Sequence, residues 1–530
     1  MLGVDGNERG AKGNERIALV VEEEQVVGSA PARKGNERAA LVVEEEQVVA
    51  SAHAHKGNER DALVVEEEQV VASAHARKGN ERDALVVEEV GELGSAQARK
   101  GNERDALVVE KQIVPEASEL PCHPERSAAA RSRGAAHWLP FTQMSTFNAS
   151  TRTFKSARGT TLTDTNNHQT FDAISSVWTT IHGHSHPHIV EAITRQAKTL
   201  DHATSLGATN PVADELADRL CAITGHNAAF FASDGASAIE AALKMAVQYH
   251  QLTGNPQRTR FIRLRDAYHG DTAGAMSVSG IDLFRTRFRD IIIESLCYED
   301  APEALTRNDI AAIIVEPRVQ AAAGMRIIPT AHYEAFRQKT EALLIVDEIA
   351  TGFGRTGTMF AYESLALQPD IVCLGKGITG GALALSAVLA TREIYEAFLA
   401  PASAARQLFH GHSYAGNPIA CAAALASLDL FEREHTLANV ASLTTHLATL
   451  LAPLQSHAQI KEIRQAGLMC GIELTLDPAA TRDIANAMYE HGHFTRPIGS
   501  TIQLVPPLSS TPADLTAFTE ALTTALAGAA

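Results

Sequence analysis

From about residue 137 onward, apolar runs of strand length alternate with amphipathic segments of helix length. No other feature constrains the fold as strongly. Strands separated by helices pair as parallel neighbours, and the helices then cover the faces of the sheet. The runs at 228–233 (AAFFAS), 261–266 (FIRLRD), 311–317 (AAIIVEP), 342–348 (ALLIVDE), 370–377 (DIVCLGKG) and 384–391 (ALSAVLAT) read as strands. Most are nearly continuous in apolar residues rather than alternating, the pattern of strands buried on both faces of a largely parallel sheet. Helical patterns lie between several of them, as at 236–252. After the long helical pattern GNPIACAAALASLDLFERE the order becomes mixed. EIRQAGLMCGIEL and TIQLVPP read as strands, TRDIANAMYEHG and TPADLTAFTEALTTALAG as helices. The expectation is an α/β protein whose large, doubly wound domain is followed by a smaller α+β domain.

The N-terminal part has a different texture. KGNERIALVVEEEQVVGSAPAR starts at Lys12, and near-copies start at Lys34, Lys56, Lys78 and Lys100, a period of 22 residues. The copies agree even at positions that a stacked scaffold would expose, which points to recent duplication of coding DNA rather than a selected solenoid. Leu63, Val64 and Val70, Val71 lie about two helical turns apart, so the unit suits a short amphipathic helix. KGN interrupts each copy, and β-branched valines weaken the helix. Residues 1–136, including the aperiodic linker PCHPERSAAARSRGAA, are therefore expected to be disordered or weakly helical.

A formal net charge of −17 argues against nucleic acid or an anionic membrane as partner. No apolar run reaches the roughly 18 residues of a membrane span, and no secretory signal pattern opens the chain. The six cysteines (Cys122, Cys221, Cys297, Cys373, Cys421, Cys470) are scattered without a C-x-x-C pair, as reduced thiols of a cytoplasmic protein would be.

Four stretches carry chemistry. In IVCLGKGITGG, Lys376 ends an apolar strand among glycines and faces the crevice where α/β folds bind ligands. Partial desolvation there makes the amine a usable nucleophile toward a carbonyl. In LLIVDEIATGFGRTG, Asp347 ends a buried strand and needs a cationic partner, which a protonated pyridine nitrogen supplies. In FFASDGASAIEAALKMA, a strand runs through Gly235 into a helix start with Ser237 nearby, an anion site for a phosphate. In DAYHGDTAGAMS, Tyr268 can cover a flat ring. Together they describe a pyridoxal phosphate site. The tetrapeptide HGHS occurs at His182–Ser185 and at His410–Ser413, with His186 and His188 close behind the first copy. A metal pair is not expected; the first copy precedes a helix start at Pro187, where neutral turn and packing histidines suit the positive end of the helix.

FASDGASAIEAALKMA, YHGDTAGAMS, IVEPRVQAAAGM, LLIVDEIATGFGRTG, CLGKGITGG and HGHSYAGNP resemble the class III aminotransferases, pyridoxal-phosphate enzymes of fold type I. HWLPFTQM, SSVWTTIHGHSHP and TRPIGSTIQLVPP resemble the branch of that family that makes 7,8-diaminononanoate from 8-amino-7-oxononanoate in biotin biosynthesis. The resemblance covers residues 137–530. It implies a seven-stranded, mostly parallel sheet in a large domain at 191–430, with 137–190 and 431–530 forming the smaller domain. Lys376 would hold the cofactor and move the proton, Asp347 would hold the pyridinium, and Gly235 and Ala236 would bind the phosphate through their N–H groups. Tyr268 would lie against the ring and the substrate. Arg496 would clamp the carboxylate of the keto substrate, Arg355 would help select the amino donor, and Glu316 would support the cofactor region. Phe141, Val177, Trp178 and Gly411 would line the substrate pocket. Ser413, beside His412, would reach the phosphate of the neighbouring subunit's cofactor, so the resemblance implies a homodimer with shared sites. Some relatives have tyrosine at Phe141, a second tryptophan at Val177, and proline and threonine at His412 and Ser413. The donor the branch implies is S-adenosylmethionine; lysine as donor, or another class III ω-amino-acid transamination, stays open.

Overall fold

The computed structural model describes residues 137–143, 152–338 and 341–528, together with the backbone of short strands between Ala18 and Val109. The chain divides into two compact units, Met1–Thr151 and Arg152–Ala530.

In the first unit the repeats form strands, which corrects the expectation of weak helices. Ala18–Glu22, Ala40–Glu44, Ala62–Glu66, Ala84–Glu88 and Ala106–Val109 make one parallel sheet. Val26–Ser29, Val48–His53, Val70–His75 and Gly94–Gln97 make a second. Leu19 pairs with Leu41, and Leu41 with Leu63, so each strand lies on its own copy 22 residues later. A single unit offers a strand no partner of its own. Stacking supplies every strand with a backbone hydrogen-bonding neighbour, and paired valines suit a pleated surface better than a helix. The linker and the KGN segments lie outside the described residues.

The second unit is built on a seven-stranded sheet: β1 (Ala228–Ala232), β2 (Arg260–Arg263), β3 (Leu296–Cys297), β4 (Ile310–Val315), β5 (Leu343–Asp347), β6 (Ile371–Leu374) and β7 (Ser386–Ala390). Its spatial order is β1-β7-β6-β5-β4-β2-β3. β7 runs antiparallel to both of its neighbours, so β1 points the same way as β2 to β6. The C-terminal ends of six strands therefore share one edge, where such sheets bind ligands. Every residue of β4 to β7 is buried. Leu344 and Val346 join one core while Leu343 and Ile345 join another across the sheet. That two-sided burial is why the runs are continuous in apolar residues.

Helix α1 (Gly235–Leu252) follows β1 and covers one face; α2 (Pro418–Arg433) packs on the other side. The remaining part surrounds this layer. Phe154–Arg158, Thr161–Asp164 and Gln169–Asp172 form a meander whose last strand pairs with His493–Phe494. Ile460–Ala466, Met469–Leu474 and Thr501–Leu504 form an antiparallel sheet backed by α3 (Thr436–Leu451), α4 (Pro478–Glu490) and α5 (Pro512–Gly528). Among the described residues, one stretch, Thr436–Ser456, is long and apolar enough by composition to cross a membrane, with mean hydropathy 1.3. Its Val440, Leu443, Leu447 and Leu451 are core residues at helical spacing.

Candidate active site

Lys376 leaves β6 through Gly375 and opens a short 3-10 turn with left-handed backbone, φ 42°. Ile349, two residues beyond the end of β5, presses on both glycines of the site. A Cβ at Gly235 would lie 2.9 Å from Ile349 Cγ2, and one at Gly375 3.2 Å. The two loops approach each other this closely because neither carries a side chain. Lys376 Nζ lies 4.9 Å from the centroid of the Trp178 ring. Burial lowers the amine's pKa, against the opposing pull of the Asp347 and Glu316 carboxylates, which enlarges the nucleophilic fraction.

The Asp347 carboxylate is enclosed. One oxygen accepts from the Ile349 N–H at 3.0 Å, and the other lies 2.6 Å from Nδ1 of His269, a ring equally buried. A carboxylate only accepts, so Nδ1 carries the proton and the pair fixes the carboxylate's direction. The His269 N–H is in turn held by Ser279 Oγ at 3.0 Å. His269 was not singled out in the sequence; its place beside Tyr268 was the available signal. Glu316, just past β4, accepts from the N–H groups of Tyr268 (3.0 Å) and Ala321 (3.2 Å). Burial pushes its carboxyl up to about 7. It thus holds the Tyr268 backbone in place. The Tyr268 hydroxyl donates to Asp271 at 2.7 Å, and burial followed by that bond raises its pKa.

The anion cup differs from its sequence reading in one respect. Asp234 is the N-cap of α1, and it takes both the N–H (3.0 Å) and the hydroxyl (2.9 Å) of Ser237. Ser237 is therefore engaged within the cap. The N–H groups of Gly235 and Ala236 find no acceptor among the described residues, and they head an 18-residue helix. Gly270, at φ 125°, lets the Tyr268 loop reach them: a Cβ there would lie 2.5 Å from the Ala236 Cβ. Two free N–H donors, a helix dipole, an aimed carboxylate and a half-buried amine on one sheet edge fit a phosphorylated pyridine aldehyde.

Val177 and Trp178 lie in an unusual segment. Ser175, Ser176, Val177 and Trp178 all have positive φ (49°, 49°, 64° and 69°), a full turn of left-handed helix without glycine. Surrounding bonds impose it: Ser175 Oγ donates to the Val505 carbonyl at 2.7 Å, Ser176 Oγ to Asp172 at 3.1 Å, and Trp178 Nε1 to Gln503 Oε1 at 2.9 Å. Backbone strain of this kind persists where the fold over-determines it and concentrates at functional sites. Val177 is thereby left half-exposed while Trp178 is buried beneath Lys376.

Arg355 is fully enclosed. Its guanidinium donates to the carbonyls of Pro506 and Thr180, and burial lowers its pKa to about 9. Arg496 is exposed, and among the described residues no carboxylate lies within ion-pair distance of it. His412 Nδ1 lies 3.4 Å from Ser233 Oγ, next to the anion cup of its own subunit; Gly411 and Ser413 are exposed. Phe141 belongs to the N-terminal unit. In the first HGHS the histidines are more than packing residues. His184 meets Asp172 at 2.8 Å, His186 Glu434 at 3.0 Å, and His188 Asp429 at 3.4 Å. His182 is buried against Phe431, its pKa lowered to about 3 by burial.

This sheet and this site define a pyridoxal-phosphate enzyme of fold type I. The chain belongs to the class III aminotransferases: the family model Aminotransferase class-III matches residues 146–526. It is similar to the adenosylmethionine-8-amino-7-oxononanoate aminotransferase of Nitratidesulfovibrio vulgaris, 41% identical over 439 residues that cover 74% of this chain and 81% of that one. The protein of the same name from Aquifex aeolicus is 39% identical over 411 residues, covering 70% and 91%. Among solved structures, the Methanocaldococcus jannaschii enzyme of that name superposes with a TM-score of 0.71 at 36% identity, covering 74% of this chain and 97% of that one. A PLP-bound amine transaminase from an uncultivated Pseudomonas species gives 0.72 at 32%, covering 75% and 100%.

Proposed function

We propose that the protein transfers an amino group from S-adenosylmethionine to 8-amino-7-oxononanoate, giving 7,8-diaminononanoate for biotin synthesis. The relatives named above support this, and one observation carries it: an exposed Arg496 with no carboxylate partner among the described residues, its main chain bonded to the Gln503 amide that also holds Trp178. A guanidinium offers paired donors to a substrate carboxylate. Pyridoxal phosphate, when bound, supplies a carbonyl that takes up the amino group and a ring that withdraws electrons. Gly235 and Ala236 would hold its phosphate through their N–H groups, and Asp347, aimed by His269, would hold the ring nitrogen's proton. Lys376, whose amine pKa burial lowers, would hold the cofactor through that amine and would carry the proton taken from the substrate Cα. Trp178 and Val177 form the wall that keeps water from that proton. Arg355 acts from within, holding the Thr180 and Pro506 loops that frame the pocket. A cytoplasmic homodimer belongs to the same proposal, with the exposed Ser413 reaching the partner's phosphate.

The test is an assay of purified holoenzyme with 8-amino-7-oxononanoate and either S-adenosylmethionine or lysine. Turnover with S-adenosylmethionine is expected; turnover with lysine alone reassigns the donor, and turnover with neither defeats the reading. Arg496→Ala should raise KM for the keto acid by about 10- to 100-fold, the worth of a charge-assisted hydrogen-bond pair.

A further inference from the structure

We propose that Gln503 is a positioning residue that ties the Trp178–Lys376 pair to Arg496 and sets the affinity for the carboxylate end of the substrate. The inference rests on the reading of Arg496 as the carboxylate clamp. Gln503 lies in the strand Thr501–Leu504, and its side chain is enclosed, with the residue 3% exposed. Both ends of its amide are used. Oε1 accepts from the Trp178 indole at 2.9 Å, and Nε2 donates to the Arg496 main-chain carbonyl. The Gln503 carbonyl accepts from Thr495 Oγ1 at 2.7 Å, so the strand holds the stretch before Arg496 by main chain as well as side chain. The indole is the surface over which Lys376 Nζ lies, 4.9 Å from its centroid. One amide thus fixes the ring beneath the amine and the backbone that carries the guanidinium. Trp178 leaves the chain from a left-handed turn at φ 69°, a conformation it does not favour, so its side chain needs such an anchor. A buried amide with both ends satisfied holds geometry that an apolar residue of the same size cannot.

The chain has two tryptophans, and with Trp138→Phe the emission of the holoenzyme reports Trp178 alone. The probe is nonanoate, a carboxylate on an alkyl chain, titrated while Trp178 emission is followed. In Gln503→Met the emission of the free protein should shift, and the dissociation constant for nonanoate should rise about tenfold, as the loss of a buried hydrogen bond predicts. Arg496→Ala should weaken nonanoate at least as much, and adding Gln503→Met to it should weaken it no further, because Gln503 acts through Arg496. At pH 9, with its carboxyl ionised, Gln503→Glu keeps the acceptor for the indole but not the donor toward Arg496. It should restore the emission without the affinity, and it carries the test if the methionine variant does not fold. Nonanoate affinity within twofold of the parent in both Gln503 variants, or losses that add to that of Arg496→Ala, overturns the role of Gln503 and leaves the clamp standing. A parent that does not respond to nonanoate overturns the clamp, and with it this inference.

Discussion

At the scale of single residues, the site is held by buried acids whose surroundings differ. Asp347 is directed by a ring N–H and a backbone N–H, whereas its neighbour Glu348 faces away into the core and touches Thr351 and the Tyr362 N–H. Burial pushes the Glu348 carboxyl up to about 7 from 4.5. The folded protein therefore keeps this proton after the unfolded chain has lost it. Stability falls as pH rises from about 4.5 to about 7 and levels off above. Glutamine can accept from the Tyr362 N–H and donate to Thr351, so Glu348→Gln should match the wild type near pH 4 and exceed it at pH 8. The gain should be up to about 3 kcal/mol, at 1.36 kcal/mol per pKa unit; thermal unfolding of both proteins across that range measures it. Lys376, Asp347, Gly235 and Ala236 were readable from motif context as candidates, and the fold brings the four to one sheet edge. His269 and Gln503 were not, because each acts through a partner more than 70 positions away, a relation that no local pattern encodes.

At the scale of elements, the long strands and helices lie within a few residues of their sequence patterns because burial on both faces demands unbroken apolar runs. β3, a strand of two residues, has no such run and exists only through its pairing with β2. EIRQAGLMCGIEL, read as one strand, folds into two that turn at Gly467, whose φ of 63° permits the reversal. The left-handed turn at 175–178 was also invisible, since serine, valine and tryptophan carry no preference for it. Left-handed backbone costs a β-branched residue about 1–2 kcal/mol. Val177 buries little surface, so Val177→Gly should stabilise the protein by about 1 kcal/mol after the glycine's own entropy is counted, and Val177→Ala should give less. Thermal melts of the two variants decide this. No rise in the glycine variant over the alanine one means that the turn is not strained.

At the scale of the whole molecule, the second unit, Arg152–Ala530, contains the sheet, both cores and all the residues of the lysine and anion sites. Deleting residues 1–135 keeps HWLPFTQM and should leave kcat and the oligomeric mass per catalytic unit unchanged. Loss of turnover would show that the repeats serve the enzyme. The same deletion tests the first unit. The circular dichroism spectrum of the full chain minus that of the truncated chain should have the single minimum of β-sheet, not the double minimum of helix.

The amino-acid order alone determined the class of fold, the family and the cofactor, because strand-length apolar runs and short glycine-flanked motifs are local properties of the chain. The tertiary structure decided three things: that the valine repeats stack as strands, that Arg355 is enclosed while Arg496 is open, and that a single amide joins Trp178 to Arg496. Each depends on what a distant segment offers. A backbone strand needs a neighbour to bond with, a cation is free or satisfied according to what surrounds it, and a side chain positions another only where the fold brings the two into contact.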